Sequence, residues 1–201
     1  MPRSNRRQHI LEVLARELET KPGSRITTAA LAGAVGVSEA ALYRHFASKA
    51  QMFEALIAFA EDTVFGLFNQ VMREQDEARV RCQHLCLVLL RFAERNPGIA
   101  RILTGDILVG EHERLRARVQ QFFARVETQF RQVLRERNLV EPGAADTEWV
   151  QVGAVLLTAL VSGRIGQFVR SEFAEAPSRD WDAQWRVLCG GLFPAAADAV
   201  D

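Results

Sequence analysis

The chain has 201 residues, 48% of them hydrophobic and 25% charged, and its 25 Lys and Arg are balanced by 25 Asp and Glu. That length makes one compact domain or two small ones with a sizeable core, and that composition excludes a disordered chain. The charges are unevenly spread: residues 1–54 hold eight bases against five acids, and residues 55–201 hold 17 against 20, so the small positive excess lies at the N-terminal end, where it suits phosphate.

Residues 1–20 are Arg-rich with acids interspersed, and no apolar block leads to a cleavage site, so no signal peptide is expected. The longest apolar run, Val152 to Val161, is shorter than the ~18 residues of a membrane span. It reads as a core or interface helix, and the expected location is cytoplasmic. Three cysteines, Cys82, Cys86 and Cys189, make no disulfide framework. On a helix Cys82 and Cys86 share a face while His84 points elsewhere, so buried thiols are expected there and no metal.

The predicted elements are helical from end to end. Ile10, Leu11, Leu14 and Leu18 mark a first helix, with Ser4 as its cap and Pro22-Gly23 as its stop. A second runs from Thr27 to Val35 and breaks at Gly36. Ser38 caps a third, to about His45, and Ser48 caps a long fourth through Phe68. A fifth covers about Ala78 to Arg95 and ends at Asn96-Pro97-Gly98, followed by a short segment, Ile99 to Leu103. Next come a long helix from about Gly110 to Arg137 and a loop at Glu141-Pro142-Gly143. A further helix, capped by Asp146 or Thr147, runs to about Phe173, and the last covers Trp181 to Leu192. The tail after Pro194 reads as frayed. No alternating strand pattern appears. The fold class is all-α with about nine helices, divided into residues 1–50 and a helical body over residues 51–201.

Residues 25–53 have the anatomy of a helix-turn-helix. Leu31, Val35, Val37, Leu42 and Phe46 are phased as the core of two short helices meeting at an angle, and Ala32 allows close approach. Gly36 supplies the sharp turn and Ser38 caps the next helix. With Leu42 and Phe46 inward, Glu39, Ala40, Tyr43 and Arg44 lie outward. The first turn of such a helix enters the DNA major groove, which places Ser38, Glu39, Ala40 and Arg44 at base edges or nearby phosphates. Thr27 and Thr28 open a helix whose free amides favour a phosphate. Tyr43, His45 and Lys49 are placed for backbone phosphates, and Arg6 and Arg7 add electrostatic contacts.

The stretch RITTAALAGAVGVSEAALYRHFASKAQMF resembles the DNA-binding domain of TetR-family regulators. The resemblance implies a helix-turn-helix domain on a dimerising body, with the helices at about 146–173 and 181–192 forming a four-helix interface with their two-fold mates. Further blocks, SNRRQHIL, FAERNPGIARILTGD, RQVLRE and FVRSEF, resemble the nucleoid-occlusion branch of that family. That resemblance implies a homodimer, or a dimer of dimers, on double-stranded palindromic sites at the nucleoid. It also implies an antagonist of the division protein FtsZ, whose C-terminal tail would dock between the fourth and fifth helices on Phe59, Val88, Arg95 and Asn96. Two positions depart from the pattern: Leu67 stands where a basic residue is expected, and Arg91 where a glycine is.

The competing class is a TetR-type repressor released from DNA by a small ligand, with Phe92, Phe122, Phe123 and Trp149 lining its pocket. Catalysis is not expected. The sequence has no nucleophile elbow, P-loop or dinucleotide fingerprint, and His9, His45, His84 and His112 are scattered. No cofactor and no metal are expected.

Overall fold

A computed structural model of the chain describes residues 3–21, 26–108, 110–140 and 147–193, and all regular structure among them is helical. The helices are α1 (Arg3–Thr20), α2 (Thr28–Val35), α3 (Glu39–Tyr43), α4 (Lys49–Glu74), α5 (Ala78–Arg95), α6 (Pro97–Leu103), α7 (Glu113–Val140), α8 (Thr147–Arg170) and α9 (Trp181–Leu192), with a 3-10 turn at Asp106–Leu108. The expected all-α class with nine helices is found among the described residues.

Three helices start where Ser or Thr stands three residues before a backbone amide that needs an acceptor. Thr27, Ser38 and Ser48 each accept from the amide of residue i+3, namely Ala30, Ala41 and Gln51, at 3.2 Å. At the last of these the side chain of Gln51 reaches back to the amide of Ala47 at 2.9 Å, a variant of the reciprocal capping box. Gly36 ends α2 with φ +75°, and its N–H and that of Val37 close on the carbonyls of Ala32 and Gly33.

α4 is the structural spine. Its buried stripe, Met52, Phe53, Leu56, Ile57, Ala60, Val64 and Phe68, begins beneath the helix-turn-helix and ends in the body. α1 is fixed to the body through α6. Gly98 lies so close to α1 that a Cβ there would sit 2.1 Å from the carbonyl oxygen of Ala15. Arg101, 2% exposed, donates to the carbonyls of Leu18 and Lys21 at 2.8 and 3.0 Å and pairs with Asp106 at 2.7 Å. A cation at the carbonyl end of α1 satisfies orphan acceptors and complements the helix dipole.

Several boundaries differ from the sequence expectation. α1 begins at Arg3, so Ser4 lies inside the helix rather than capping it. α3 stops at Tyr43, because the amides of His45 and Phe46 both turn back to the Leu42 carbonyl and send Phe46 into the core. α6 begins at Pro97, where a missing N–H costs nothing. α7 runs Glu113–Val140 rather than Gly110 to Arg137, since Gly110 is left-handed at φ +78°. α8 ends at Arg170, not Phe173. Glu172 and Phe173 have φ +51° and +69°, a reversal that lays the Phe173 ring against Phe168 at 5.2 Å. The stops at Pro22-Gly23 and Glu141-Pro142-Gly143, the cap Asp146 and the tail after Pro194 lie outside the described residues.

The membrane expectation also needs correction: α8 is long and apolar enough to cross a bilayer, with a mean hydropathy of 1.6 over its most apolar window. Its apolar residues are divided between two faces. Val150, Gly153, Ala154, Leu157, Val161 and Ile165 are buried, and Gly153 meets Leu134 of α7. Val152, Val155 and Leu156 lie exposed on the opposite face.

Cys82 and Cys86 are wholly buried on α5, and burial pushes both thiols well above the ordinary value of 9.0, while Cys189, partly exposed, is raised less by the same cause. A thiol raised in the folded state contributes its stability below the unfolded value and loses it as pH climbs beyond. Melting temperature should therefore fall as pH rises past about 9, and a thiol reagent at neutral pH should label Cys189 in the native protein but Cys82 and Cys86 only after unfolding. Gly98→Ala should destabilise by about 1–3 kcal/mol in urea titration, because the methyl group would collide with backbone. Gly33→Ala, in mid-helix with nothing within 4 Å, should stabilise by about 0.5–1 kcal/mol.

Candidate nucleic-acid interface and partner groove

The recognition unit is built from local signals. Leu31, Ala32, Val35, Leu42 and Phe46 are buried between α2, α3 and α1. Ser38, Glu39, Ala40, Tyr43 and Arg44 are exposed, as the phasing of Leu42 and Phe46 requires, and Tyr43 is 44% exposed. The Ser38 hydroxyl accepts from Ala41 and keeps its own proton to donate. The Thr28 hydroxyl donates to the Glu39 carboxylate at 2.7 Å, tying the start of α2 to the first turn of α3. Glu39 therefore meets a base only with one oxygen already engaged.

Arg7 does not project freely. Its guanidinium lies 4.3 Å above the Phe46 ring and donates to the His45 carbonyl at 3.4 Å, so it braces α1 against the end of the recognition unit. Arg6 and His45 are partly buried beside it. Lys49, the first residue of α4, turns toward the body. Its ammonium is 2.6 Å from Glu111 and 5.4 Å from the centre of the Phe53 ring. Glu111 stands in the turn before α7, and two further ion pairs join α4 to α7 itself, Glu54 with Arg114 at 2.6 Å and Glu61 with Arg118 at 2.7 Å. Sequence reasoning missed this ladder, because nothing local links residues 62 positions apart.

On the other flank of α4 the expected partner groove begins with an exposed aromatic. Phe59 is 47% exposed, and its ring stands 6.3 Å from Phe92 of α5. The ring is thus only half covered by the packing of α4 on α5. Val88 and Arg95 lie one turn to either side of Phe92 on α5. Val88 is partly buried against the core, and Arg95 is exposed. Asn96 closes α5 by donating its carboxamide to the Phe92 carbonyl at 2.8 Å. Arg95 and Asn96 also border a cleft of about 280 Å³ shared with Glu12, Arg16 and Glu19 of α1. Leu67 and Arg91 are both exposed. Phe92, weighed from sequence as lining of a ligand pocket, is buried and stands against Phe59.

The four aromatics considered for that pocket go to three places. Phe92 meets Phe59, Phe122 and Phe123 meet each other with Phe65 against Phe122, and Trp149 meets Phe193. They fill the body rather than line one chamber.

Residues 10–56 match the family described as bacterial regulatory proteins of the tetR family, and residues 76–192 match the tetracyclin repressor-like C-terminal domain. A protein of Shewanella woodyi named nucleoid occlusion factor SlmA is 54% identical over 92% of this chain and 93% of its own, and the protein of that name from Shewanella halifaxensis is 55% identical over 93% and 94%. This chain belongs to the SlmA nucleoid occlusion factors, within the TetR family. As such a factor it carries a DNA-binding head of regulator type. Among solved structures, NalD of Pseudomonas aeruginosa, a repressor of a multidrug efflux pump, superposes with a TM-score of 0.70 at 22% identity, covering 95% of this chain and 98% of its own. The MbdR regulator of Azoarcus gives 0.75 at 15% identity, over 92% and 97%. These two share its fold.

Proposed function

We propose that this protein is a chromosome-bound brake on cell division. As a homodimer at the nucleoid, in the cytoplasm, it binds palindromic sites on double-stranded DNA, and in that state it antagonises polymers of FtsZ and keeps the division ring off the nucleoid. The role needs no catalytic step. The observation that carries it is the double use of α4. The helix starts at the Ser48 cap beside the recognition unit and presents Phe59 on its exposed flank three turns later.

On the DNA side, the chain divides at residue 50 into a reading head and a body. α3 enters the major groove with Ser38, Glu39, Ala40 and Arg44, while Thr27, Thr28, Tyr43, His45 and Lys49 meet phosphates and Arg6 and Arg7 add positive field. On the partner side, Phe59 takes an apolar residue of the FtsZ tail against Phe92 and Val88. Arg95 pairs with tail carboxylates, and the Asn96 carboxamide keeps its oxygen to accept from tail backbone. Arg91, exposed on the same helix, brings back the positive charge that Leu67 lacks.

The second protomer covers the bare face of the body. Val152, Val155, Leu156, Ala159 and Gly163 form one exposed stripe on α8, with Val187 of α9, 82% exposed. Small residues at the end of that stripe let two helices cross closely, and a two-fold pairing gives head spacing suited to palindromes. Leu156→Glu should shift the protein to monomer in sedimentation velocity and weaken palindrome binding by at least about tenfold.

The deciding experiment is fluorescence anisotropy of a labelled FtsZ C-terminal tail peptide, with and without a palindromic duplex selected from genomic DNA. Duplex should tighten peptide binding by about 5–150-fold, and peptide should tighten duplex binding by the same factor, since coupling is reciprocal. Equal peptide affinity in both arms would eliminate the coupling through α4. Phe59→Ala should lose peptide binding by at least about tenfold and keep DNA binding. Thr27→Ala, which removes a cap worth about 1 kcal/mol, should weaken DNA binding and leave the free protein's peptide affinity alone.

A further inference from the structure

The ladder of ion pairs that fastens α4 to α7 and to the turn before it has one reversed rung. At Glu54–Arg114 and Glu61–Arg118 the acid is on α4 and the base on α7. At Lys49–Glu111 the base is on α4, at the end that begins beside the recognition unit. This rung is also the best shielded at its two ends: the Lys49 and Glu111 side chains are 18% and 12% exposed. Glu111 is not held in place by Lys49 alone. It follows the left-handed Gly110 and its amide bonds the Leu108 carbonyl, and Arg114 and Arg118 fasten the start of α7 to α4 just beyond it. A carboxylate oxygen is thus held 2.6 Å from an ammonium group that DNA binding needs for a phosphate oxygen.

We infer that Glu111 is a built-in phosphate surrogate, which holds Lys49 in the free protein and yields it when a DNA phosphate arrives. The inference rests on the DNA-binding role proposed above. A carboxylate and a phosphate are the same kind of acceptor to an ammonium group, and two anions at one cation repel each other where water is largely excluded. The exchange therefore opposes DNA binding by the same amount on every sequence. Glu111 sets a threshold: sites with enough base contacts clear it, and random DNA is held more weakly. It also makes loss of the first rung part of engaging DNA, at the helix that carries Phe59.

The test measures anisotropy of the full-length protein on the selected palindrome and on a scrambled duplex of equal length, across a salt series. Glu111→Gln should tighten both by about three- to tenfold and leave the salt slope unchanged, since Lys49 meets the same phosphate in either protein and only the cost of parting it from Glu111 is removed. In a Lys49→Met background the same substitution should change nothing. The inference falls if Glu111→Gln leaves affinity unchanged, if it steepens the slope by about one because Lys49 had stayed on Glu111 in the wild-type complex, or if its tightening persists without Lys49. Should Glu111→Gln lower the melting temperature enough to impair binding, Glu111→Asp decides. That variant keeps the charge but withdraws it from Lys49, so tightening upholds the surrogate and no change overturns it. If the wild type binds neither duplex, the DNA-binding role itself is wrong. If it binds and Lys49→Met is silent, the role stands and the surrogate alone is overturned.

Discussion

Everything in this molecule depends on one helix whose buried stripe lies in a single core shared by the recognition unit and the body. The 26 residues of α4 make a rod about 39 Å long. Its first turns bury Met52 and Phe53 and its later turns Val64 and Phe68, all in that one continuous core. A helix cannot bend sharply without a proline or an inserted group, and α4 contains no proline. A change of tilt at one end is therefore delivered to the other. The ion pairs to α7 and the contact of α6 with α1 decide how far that tilt can go. Arg101 is the firmest of these constraints, because a buried guanidinium with three carbonyl and carboxylate partners cannot be released cheaply.

How much of this was legible in the sequence depends on how local the cause was. Thr27, Ser38 and Ser48 announce their helices because a cap acts over three residues, and Gly36 announces its turn because few residues tolerate positive φ. The core phasing of Leu42 and Phe46 gave the outward face of α3 for the same reason. The capping of α1 by Arg101 was unreadable, since the partners lie 80 and 83 residues apart. The end of α8 was misjudged because Glu172 and Phe173 are not residues that favour a left-handed turn. They adopt it so that Phe173 reaches Phe168.

The functional surfaces divide in the same way. Outward residues of the recognition helix follow from periodicity, but their engagements do not. Arg7 on Phe46, Thr28 on Glu39 and Lys49 on Glu111 show that four of the eleven residues expected at phosphates and bases are already engaged in the free protein. Thr28 and Glu39 are held in fixed rotamers before DNA arrives, which lowers the entropy lost on binding, whereas Lys49 must first leave Glu111. Phe59 illustrates the converse limit. Periodicity cannot distinguish an apolar residue at the rim of a buried stripe from one inside it, and only the packing of α5 leaves this ring uncovered.

The apolar stripe on α8 has a consequence for where the molecule assembles. In the homodimer proposed above, a body with Val152, Val155 and Leu156 in water is half of a core, and its completion is governed by mass action. Two half-sites on one palindrome hold two heads within a helical turn or so of each other and raise the effective concentration of the two bodies far above that of the cell. The chromosome then acts as a template on which the finished molecule accumulates, and its abundance at any locus follows the density of sites there rather than the total amount of protein.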